Sequence, residues 1–194
     1  KLQSTQNDEH IYHESLVHPI MLSHPNPKSV FIGGGGECAT LREILRHKSV
    51  EEVVMVDIDE KCVKVCMEHL ECYHENSFKD KRATLIYDDA RKYIVESGKK
   101  FDVIILDLAD PIEGGPTQQL YTQEFYEEVK KALNPGGCMV TQCGPGGELS
   151  MMQVFIPVRH TIESVFPNAH SYSAYIPSFA DEWAFTMAFT DDSK

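Results

Sequence analysis

The residues Val30–Asp59, VFIGGGGECATLREILRHKSVEEVVMVDID, decide the fold of this chain. They open with a short apolar run that predicts a buried strand, pass through four glycines at 33–36, and then place apolar residues at helical spacing. A second apolar run ends at Asp57, about twenty residues beyond the glycines. A strand, a glycine turn, a helix and a strand that ends in an acid are typical of a nucleotide-binding βαβ unit.

The remainder of the chain repeats this alternation. Apolar runs at 83–87, 101–106 and 138–142 predict further strands, and helical periodicity appears at 60–70, 90–95, 125–133 and 151–165. Thr122 is placed to cap the helix that follows it. Two late runs, 171–176 and 183–189, predict an antiparallel strand pair at one sheet edge. The pattern predicts an α/β fold with a doubly wound, mostly parallel sheet.

Composition limits the classes of function. The chain has 194 residues, enough for one domain with a substantial core. Its formal net charge of −12 argues against a nucleic-acid partner, because phosphate binding needs clustered basic residues. It contains neither an apolar run long enough to span a bilayer nor a signal-peptide pattern. Its six cysteines lack zinc-type pairs, so we expect a reducing, cytoplasmic compartment and no membrane.

The opening segment, residues 1–27, is polar and rich in histidine. Ile11, Leu16, Val17 and Ile20 predict one apolar face of a helix that packs on the main domain. The histidines at 10, 13, 18 and 24 have no compact ligand spacing, and no carboxylate pair is expected beside them. No metal site is therefore predicted.

Five acids fall at or just beyond the carboxyl ends of predicted parallel strands: Glu37, Asp57, Asp89, Asp107 and Asp110. Ligands bind at that edge of open α/β sheets. For Asp89 or Asp110 taken singly, a helix cap or a surface acid remains a serious alternative. The set together predicts a ligand site.

The type of ligand follows from the charges. Asp57 is placed to hold a ribose, and Asp89 to accept from an adenine amino group. Glu37 would face the next part of the ligand, and a carboxylate there repels a pyrophosphate but attracts the sulfonium and amine of an S-adenosyl compound. The sequence therefore favours S-adenosyl chemistry over a nicotinamide dinucleotide.

Several separated motifs resemble the aminopropyltransferases, the family of spermidine, spermine and thermospermine synthases. The resemblance covers nearly the whole chain and rests on these residues: Gln3-Ser4, Asp8-Glu9, Tyr12-His13-Glu14, Gly34-Gly35-Gly36-Glu37, Leu41-Arg42-Glu43, Asp57-Ile58-Asp59, Asp89-Ala90, Asp107-Leu108-Ala109-Asp110-Pro111 and Ile176-Pro177-Ser178-Phe179. It implies a Rossmann-like fold of the S-adenosylmethionine-methyltransferase type. Residues 28–194 would form the catalytic domain, and residues 1–27 the tail of an N-terminal β domain that carries a further donor-contacting glutamine.

The resemblance also implies a reaction, the transfer of an aminopropyl group from decarboxylated S-adenosylmethionine to a polyamine with release of methylthioadenosine. Asp107 would be the catalytic acid/base residue. Contacts to the donor are implied for Gln3, His13, Gly34, Gly36, Glu37, Asp57, Ile58, Asp89 and Ala90. Contacts to the acceptor are implied for Tyr12 and Asp110, and are extended to Glu113, Phe179 and Glu182. No tightly bound cofactor or metal is implied, and a homo-oligomer, a dimer or tetramer, is expected.

Departures from the commoner spermidine synthase pattern indicate the acceptor. Leu108 and Ala109 stand where that pattern has two serines, and Phe179 stands where it has tyrosine. Together with Glu113 and Glu182, these changes look closest to plant thermospermine synthases, which extend spermidine. Spermidine synthase, acting on putrescine, and spermine synthase remain alternatives, and the amine attacked is open. The loop 113–119 is expected to act as a lid over the polyamine, with an ordinary surface loop as the alternative.

The residues leave three other classes of protein open as alternatives. A methyltransferase shares the expected fold, but the acidic acceptor region argues against it. A nicotinamide dehydrogenase is disfavoured by Glu37. A non-catalytic polyamine-binding protein would keep Asp110 and Tyr12 without needing Asp107. Because Asp107 is present, an enzyme is the better interpretation.

Overall fold

In a computed structural model that describes residues 2–111 and 115–191, the chain forms one seven-stranded sheet with helices on both faces. The helices are α1 (Glu9–Ser23), α2 (Ala39–Leu45), α3 (Glu60–His69), α4 (Glu71–His74), α5 (Ala90–Glu96), α6 (Gln123–Ala132) and α7 (Phe155–Val165). The strands are β1 (Ser29–Gly34), β2 (Glu52–Asp57), β3 (Ala83–Tyr87), β4 (Phe101–Asp107), β5 (Leu133–Pro145), β6 (Asn168–Ile176) and β7 (Asp181–Phe189). Short 3₁₀ turns cover Ser77–Lys79, Pro116–Tyr121 and Pro177–Phe179.

The strand order is β3-β2-β1-β4-β5-β7-β6. The pairs from β3 to β5 are parallel, and β7 lies antiparallel to both β5 and β6. The chain starts in the middle of the sheet at β1, runs outward through β2 and β3, and returns to β4 on the other side of β1. The predicted doubly wound sheet with an antiparallel pair at its late end is confirmed.

The central strands have alternate side chains in two different hydrophobic layers, because successive residues of a strand point to opposite faces. Phe31 packs with α5, α6 and α7, whereas Val30 and Ile32 pack with α1 and α2. Both layers are fully buried at these positions. The expected apolar face of α1 is confirmed, since Leu16, Val17 and Ile20 lie in the second layer.

Asp102, the one charged residue in the apolar run of β4, has a structural explanation. Its Oδ2 accepts from the backbone N–H of Lys28 at 2.8 Å and of Ser29 at 3.0 Å, and its Oδ1 accepts from Asn134 Nδ2 at 2.8 Å. The carboxylate thus joins the starts of β1, β4 and β5. Sequence periodicity places β5 too late, at Cys138, because residues 134–137 read as a loop, whereas the strand begins at Leu133.

The predicted starts of two helices, α6 and α7, can be compared with the structure. Thr122 caps α6 as expected, since its hydroxyl accepts from the N–H of Phe125 at 3.3 Å. The predicted helix from Met151 begins only at Phe155, because residues 150–154 form turns. Among the residues that the structure describes, no helix is both long and apolar enough to cross a membrane.

Candidate active site

A cavity of about 550 Å³ opens at the carboxyl ends of the parallel strands. It lies beside β1 and β4, the two neighbouring strands between which the strand order reverses, and open α/β sheets bind ligands at this position. Its walls come from the opening segment, the glycine turn, the ends of β2 and β4, and the late antiparallel pair. Predicted site residues on its lining are Gln3, Tyr12, Gly36, Glu37, Asp57, Asp107, Asp110 and Phe179.

The glycine turn brings the end of β1 against the end of β4. Gly34 and Gly35 have φ angles of +84° and +78°, in the left-handed region that side chains disfavour. The N–H of Gly35 donates to the carbonyl oxygen of Asp107 at 3.2 Å, and a Cβ on Gly34 would collide with that same oxygen. The glycines are therefore needed for this close approach, which fixes the backbone at Asp107.

Asp107 is held between two hydroxyl groups. Tyr12 OH donates to its Oδ1 at 2.7 Å, and Thr40 Oγ1 donates to its Oδ2 at 2.5 Å. Desolvation in the cavity, followed by the negative charge of Glu37, raises the pKa of the Asp107 carboxyl. A carboxylate with a raised pKa is suited to accept a proton. The sequence predicted Asp107 and Tyr12 in the site but assigned no role to Thr40.

His13 lies between two carboxylates. Its Nδ1 is 2.7 Å from Glu9 Oε2, and its Nε2 is 3.2 Å from Glu37 Oε1. Burial alone would lower the pKa of His13, but the hydrogen bonds to Glu37 and Glu9 raise it to about 10. Burial likewise opposes ionisation of Glu37, yet His13 keeps the pKa of that carboxyl lowered. His13 is therefore a buried cation at neutral pH, paired with an anionic Glu37.

The ionic chain continues into α2. Arg42 donates from Nη1 and Nη2 to the two carboxylate oxygens of Glu9, each at 3.0 Å, and from Nε to Glu43 at 2.8 Å. Against the effect of burial, His13 and then Arg42 lower the pKa of Glu9 to about 2. Both side chains of the Arg42–Glu9 pair are buried. Sequence reasoning quoted these residues as parts of motifs but did not predict that they support His13.

The end of the cavity nearest β2 contains Asp57. Its Oδ1 accepts from the N–H of Asp59 at 2.8 Å, and burial raises the pKa of the carboxyl. A Cβ on Gly36 would come within 3.2 Å of Asp57 Oδ2, so the glycine leaves room beside the acid. Gln3 lines this cavity and is itself exposed.

Five residues predicted to contact the donor lie outside the lining of the cavity: His13, Gly34, Ile58, Asp89 and Ala90. Ile58 is 70% exposed. Asp89 is exposed, and its Oδ1 accepts from the N–H groups of Arg91 at 2.7 Å and Lys92 at 3.1 Å, so it caps α5. Ala90 is buried behind the glycine turn, where a Cβ on Gly33 would contact it at 3.5 Å. Gly34 also lies behind the cavity and acts through its backbone.

The opposite end of the cavity combines one acid with apolar and aromatic walls. Asp110, Leu108, Phe179 and Trp183 line it. The rings of Phe179 and Trp183 are in contact, with centroids 4.6 Å apart, and Phe179 also meets Tyr12 edge-on at 6.3 Å. Glu182 is exposed and does not line the cavity, and Glu113 lies outside the described residues.

Gln142, from β5, connects Asp110 and Trp183 at this end of the cavity. Its Nε2 donates to Asp110 Oδ1 at 3.2 Å and to the Leu108 carbonyl at 2.7 Å, and its Oε1 accepts from Trp183 Nε1 at 3.1 Å. It therefore orients Asp110 and Trp183 relative to each other. Sequence reasoning missed Gln142 because a glutamine within an apolar strand carries no spacing signal.

The histidines of the opening segment require a correction. No carboxylate pair was expected beside them, but Glu14, His18 and Glu43 each place one ligand atom within 4.8 Å of the others. The cluster arises because α1 packs against α2 and brings Glu43 from a distant part of the sequence. It lies apart from the cavity.

The strand order and the cavity at the carboxyl edge define a Rossmann-like α/β protein with an acid-lined cavity. A sequence model described as the spermine/spermidine synthase domain matches residues 9–194. A thermospermine synthase of Arabidopsis thaliana is 47% identical over 189 residues, which cover 97% of this chain and 56% of that protein. A polyamine aminopropyltransferase of Aeropyrum pernix is 48% identical over 192 residues, 98% of this chain and 60% of that protein.

Two solved structures are similar to this chain over nearly its whole length. A spermidine synthase from Thermotoga maritima matches with a TM-score of 0.86 at 31% identity, covering 97% of this chain and 62% of that one. A spermidine synthase bound to the transition-state analogue AdoDATO matches with a TM-score of 0.88 at 32% identity, covering 97% and 63%. The chain belongs to the spermine/spermidine synthase family. It spans less than two thirds of the length of these relatives.

Proposed function

We propose that the protein transfers an aminopropyl group from decarboxylated S-adenosylmethionine to a polyamine and releases methylthioadenosine. The observation that carries this proposal is the position of Asp107. It is a carboxyl of raised pKa, held by Tyr12 and Thr40, between a donor-side pair, Glu37 with His13, and an acceptor-side acid, Asp110. Family membership supports the same reaction.

The donor would occupy the end of the cavity between Asp57 and Glu37. Oδ2 of Asp57 lies beside Gly36, where it can accept hydrogen bonds from the ribose hydroxyls. Glu37 stays anionic because His13 is protonated, so it can attract the donor's terminal ammonium group. The carboxylate of an undecarboxylated donor would be repelled there, which gives a basis for donor selection.

The acceptor would lie between Asp110 and Asp107. Asp110 and the Tyr12 hydroxyl can bind ammonium groups, while Leu108, Phe179 and Trp183 pack against the methylene segments. The attacking amine must lose a proton before its lone pair displaces the sulfonium, and Asp107 is placed to take that proton. The new C–N bond forms as the C–S bond breaks, and the electron pair leaves on methylthioadenosine.

We propose spermidine as the acceptor, attacked at the primary amine of its aminopropyl arm, which makes the product thermospermine. The apolar walls at Leu108 and Phe179 support a longer acceptor that passes methylene segments along the cavity. The similarity to a thermospermine synthase supports it as well, although the Aeropyrum pernix aminopropyltransferase is as similar. The alternatives are attack by the other primary amine of spermidine, which gives spermine, and putrescine as the acceptor, which gives spermidine.

Product analysis tests both levels of the proposal. The full-length protein is incubated with decarboxylated S-adenosylmethionine and either putrescine or spermidine, and the polyamines are separated by chromatography against standards. Thermospermine from spermidine is the expected result. Spermidine from putrescine would keep the reaction and replace the acceptor, whereas methylthioadenosine without any new polyamine, or no product at all, would contradict aminopropyl transfer.

A further inference from the structure

The cluster of Glu14, His18 and Glu43 lies between α1 and α2, outside the cavity and outside the proposed reaction. Glu14 and His18 are four positions apart on α1, so they face the same side of that helix. Glu43 lies on α2, with its side chain fully buried. Glu14 is exposed and His18 is half-buried, so the cluster is accessible from solvent on one side.

One of the two oxygens of the buried Glu43 carboxylate has no hydrogen-bond donor among the described residues. Its Oε1 accepts from Arg42 Nε at 2.8 Å, but its Oε2 is buried and accepts no hydrogen bond among the described residues. That same oxygen lies 3.2 Å from His18 Nε2 and 3.3 Å from Arg46 Nε. The imidazole nitrogen and the carboxylate oxygen are thus close together without being hydrogen-bonded to each other.

This spacing matches two ligands of one metal ion. Bonds of about 2.0–2.1 Å in a tetrahedral zinc site place neighbouring ligand atoms about 3.3 Å apart. The 3.2 Å between His18 Nε2 and Glu43 Oε2 is close to that value. Glu14, which is exposed and lies one helical turn from His18, supplies the third ligand atom within 4.8 Å.

The surrounding groups also match a metal site. Ligating histidines usually donate their second ring N–H to a partner that fixes the ring, and ligating carboxylates are themselves hydrogen-bonded. His18 Nδ1 is 3.0 Å from His47 Nε2, and Arg42 holds the other oxygen of Glu43. With Nδ1 engaged in this way, Nε2 of His18 is the nitrogen available to a metal.

We propose that Glu14, His18 and Glu43 bind one zinc ion, which joins α1 to α2 and leaves a fourth position for water. The ligand set of one imidazole and two carboxylates suits a first-row divalent metal, and zinc is the borderline ion that takes it with tetrahedral geometry. Because α1 carries Tyr12 and His13, the metal holds in place the helix that contacts the catalytic cavity.

Zinc binding is measured on the full-length protein, after treatment with a chelator, by competition against a chromophoric chelator. We expect one zinc ion per chain, and Glu14→Gln and His18→Asn should each weaken binding at least about tenfold. His10→Asn, an exposed histidine on the same helix, is the matched control and should keep the affinity. Failure to compete, or unchanged affinity in His18→Asn, would overturn the proposal.

Two further measurements separate this site from other ligands. Arg46 presents a cation to the same oxygen of Glu43, so Arg46→Gln should tighten zinc binding. Cys62 and Cys66 line the cavity and are alternative metal ligands. Cobalt bound by Glu14, His18 and Glu43 should show no thiolate charge-transfer absorption, and such a band together with weaker binding in Cys62→Ser would place the metal at the thiols instead.

Discussion

His13 illustrates how a residue buried among carboxylates changes its chemistry. A histidine in an apolar interior is ordinarily neutral, because burial disfavours its charged form. Here Glu37 and Glu9 hold its pKa at about 10, so the positive charge of His13 balances Glu37 beside the cavity. Replacement of His13 by a neutral residue would therefore change the net charge beside this cavity.

The pH dependence of stability tests the charge on His13. Its pKa rises from 6.5 to about 10 on folding, so its contribution to the free energy of unfolding is complete below pH 6.5 and is lost as the pH rises to about 10. His13→Gln should remove that part of the decline, measured by urea unfolding at several pH values. His69→Gln, on an exposed side chain, is the control and should decline as the unsubstituted protein does. Equal slopes in His13→Gln would contradict the buried cation.

Thr40 tests the positioning of the Asp107 carboxylate. Its hydroxyl donates to Asp107 Oδ2, which favours the ionised form and opposes the desolvation that raises the pKa. Thr40→Val keeps the shape, removes the donor, and should move the acidic limb of the kcat/KM pH profile to higher pH. Thr161→Val is the control: the Thr161 hydroxyl donates to the Pro157 carbonyl on α7, so this variant should leave the profile unchanged. An unshifted limb in Thr40→Val would show that Thr40 does not act on Asp107.

At the scale of elements, β1, the glycine turn and β4 act together. The glycine turn has its shape because the N–H of Gly35 bonds the end of β4, and there is no space for a side chain at Gly34. The same contact fixes the place of Asp107, the last residue of β4. The geometry of the Asp107 carboxyl thus depends on the packing of two central strands.

Alanine substitution at two glycines separates crowding from backbone strain. Gly34 and Gly98 both have positive φ, but a Cβ at Gly98 meets nothing within 4 Å. Gly98→Ala should cost about 1–2 kcal/mol, the penalty of the left-handed conformation. Gly34→Ala adds a collision with the Asp107 carbonyl and should cost at least about 3 kcal/mol, measured by urea unfolding. Equal losses in the two variants would mean that the turn relaxes freely.

Local sequence patterns predicted most elements because each carries its own signal. The apolar runs of β1, β2 and β4 are long enough to identify buried strands, and Thr122 precedes its helix at the capping position. The early start of β5 was missed because its first residues include a proline and two glycines, which locally favour a loop. Pairing of Leu133 with Phe101 in β4, a tertiary contact, overrides that preference.

At the scale of the whole molecule, the sequence predicts some of the residues that meet at the cavity but not the hydrogen bonds that connect them. Acids at strand ends converge because parallel strands share an edge, so Asp57, Asp107 and Asp110 could be expected on one cavity. Tyr12 reaches Asp107 across 95 residues of sequence, and only the family resemblance indicated its place. The roles of Arg42 and Gln142 depend on three-dimensional contacts that no spacing rule encodes.

The position of Asp107 depends on contacts at all three scales. Its carboxylate accepts from the hydroxyls of Tyr12 and Thr40, and Tyr12 belongs to helix α1. Its backbone carbonyl, at the end of β4, accepts from the glycine turn that follows β1. Asp107→Asn is nearly isosteric and keeps a partner for Tyr12 but cannot accept the acceptor's proton. Asp57→Ala is the companion variant, which should weaken donor binding because the ribose loses its carboxylate. Together the two variants separate chemistry from binding at opposite ends of one cavity.

The most direct measurement compares turnover and donor binding in Asp107→Asn of the full-length protein. The rate of methylthioadenosine formation with spermidine should fall at least about a hundredfold, while the affinity for methylthioadenosine, measured by calorimetry, stays within about twofold of the unsubstituted protein. Near-normal turnover in Asp107→Asn would contradict the central claim that this carboxyl removes the proton from the attacking amine.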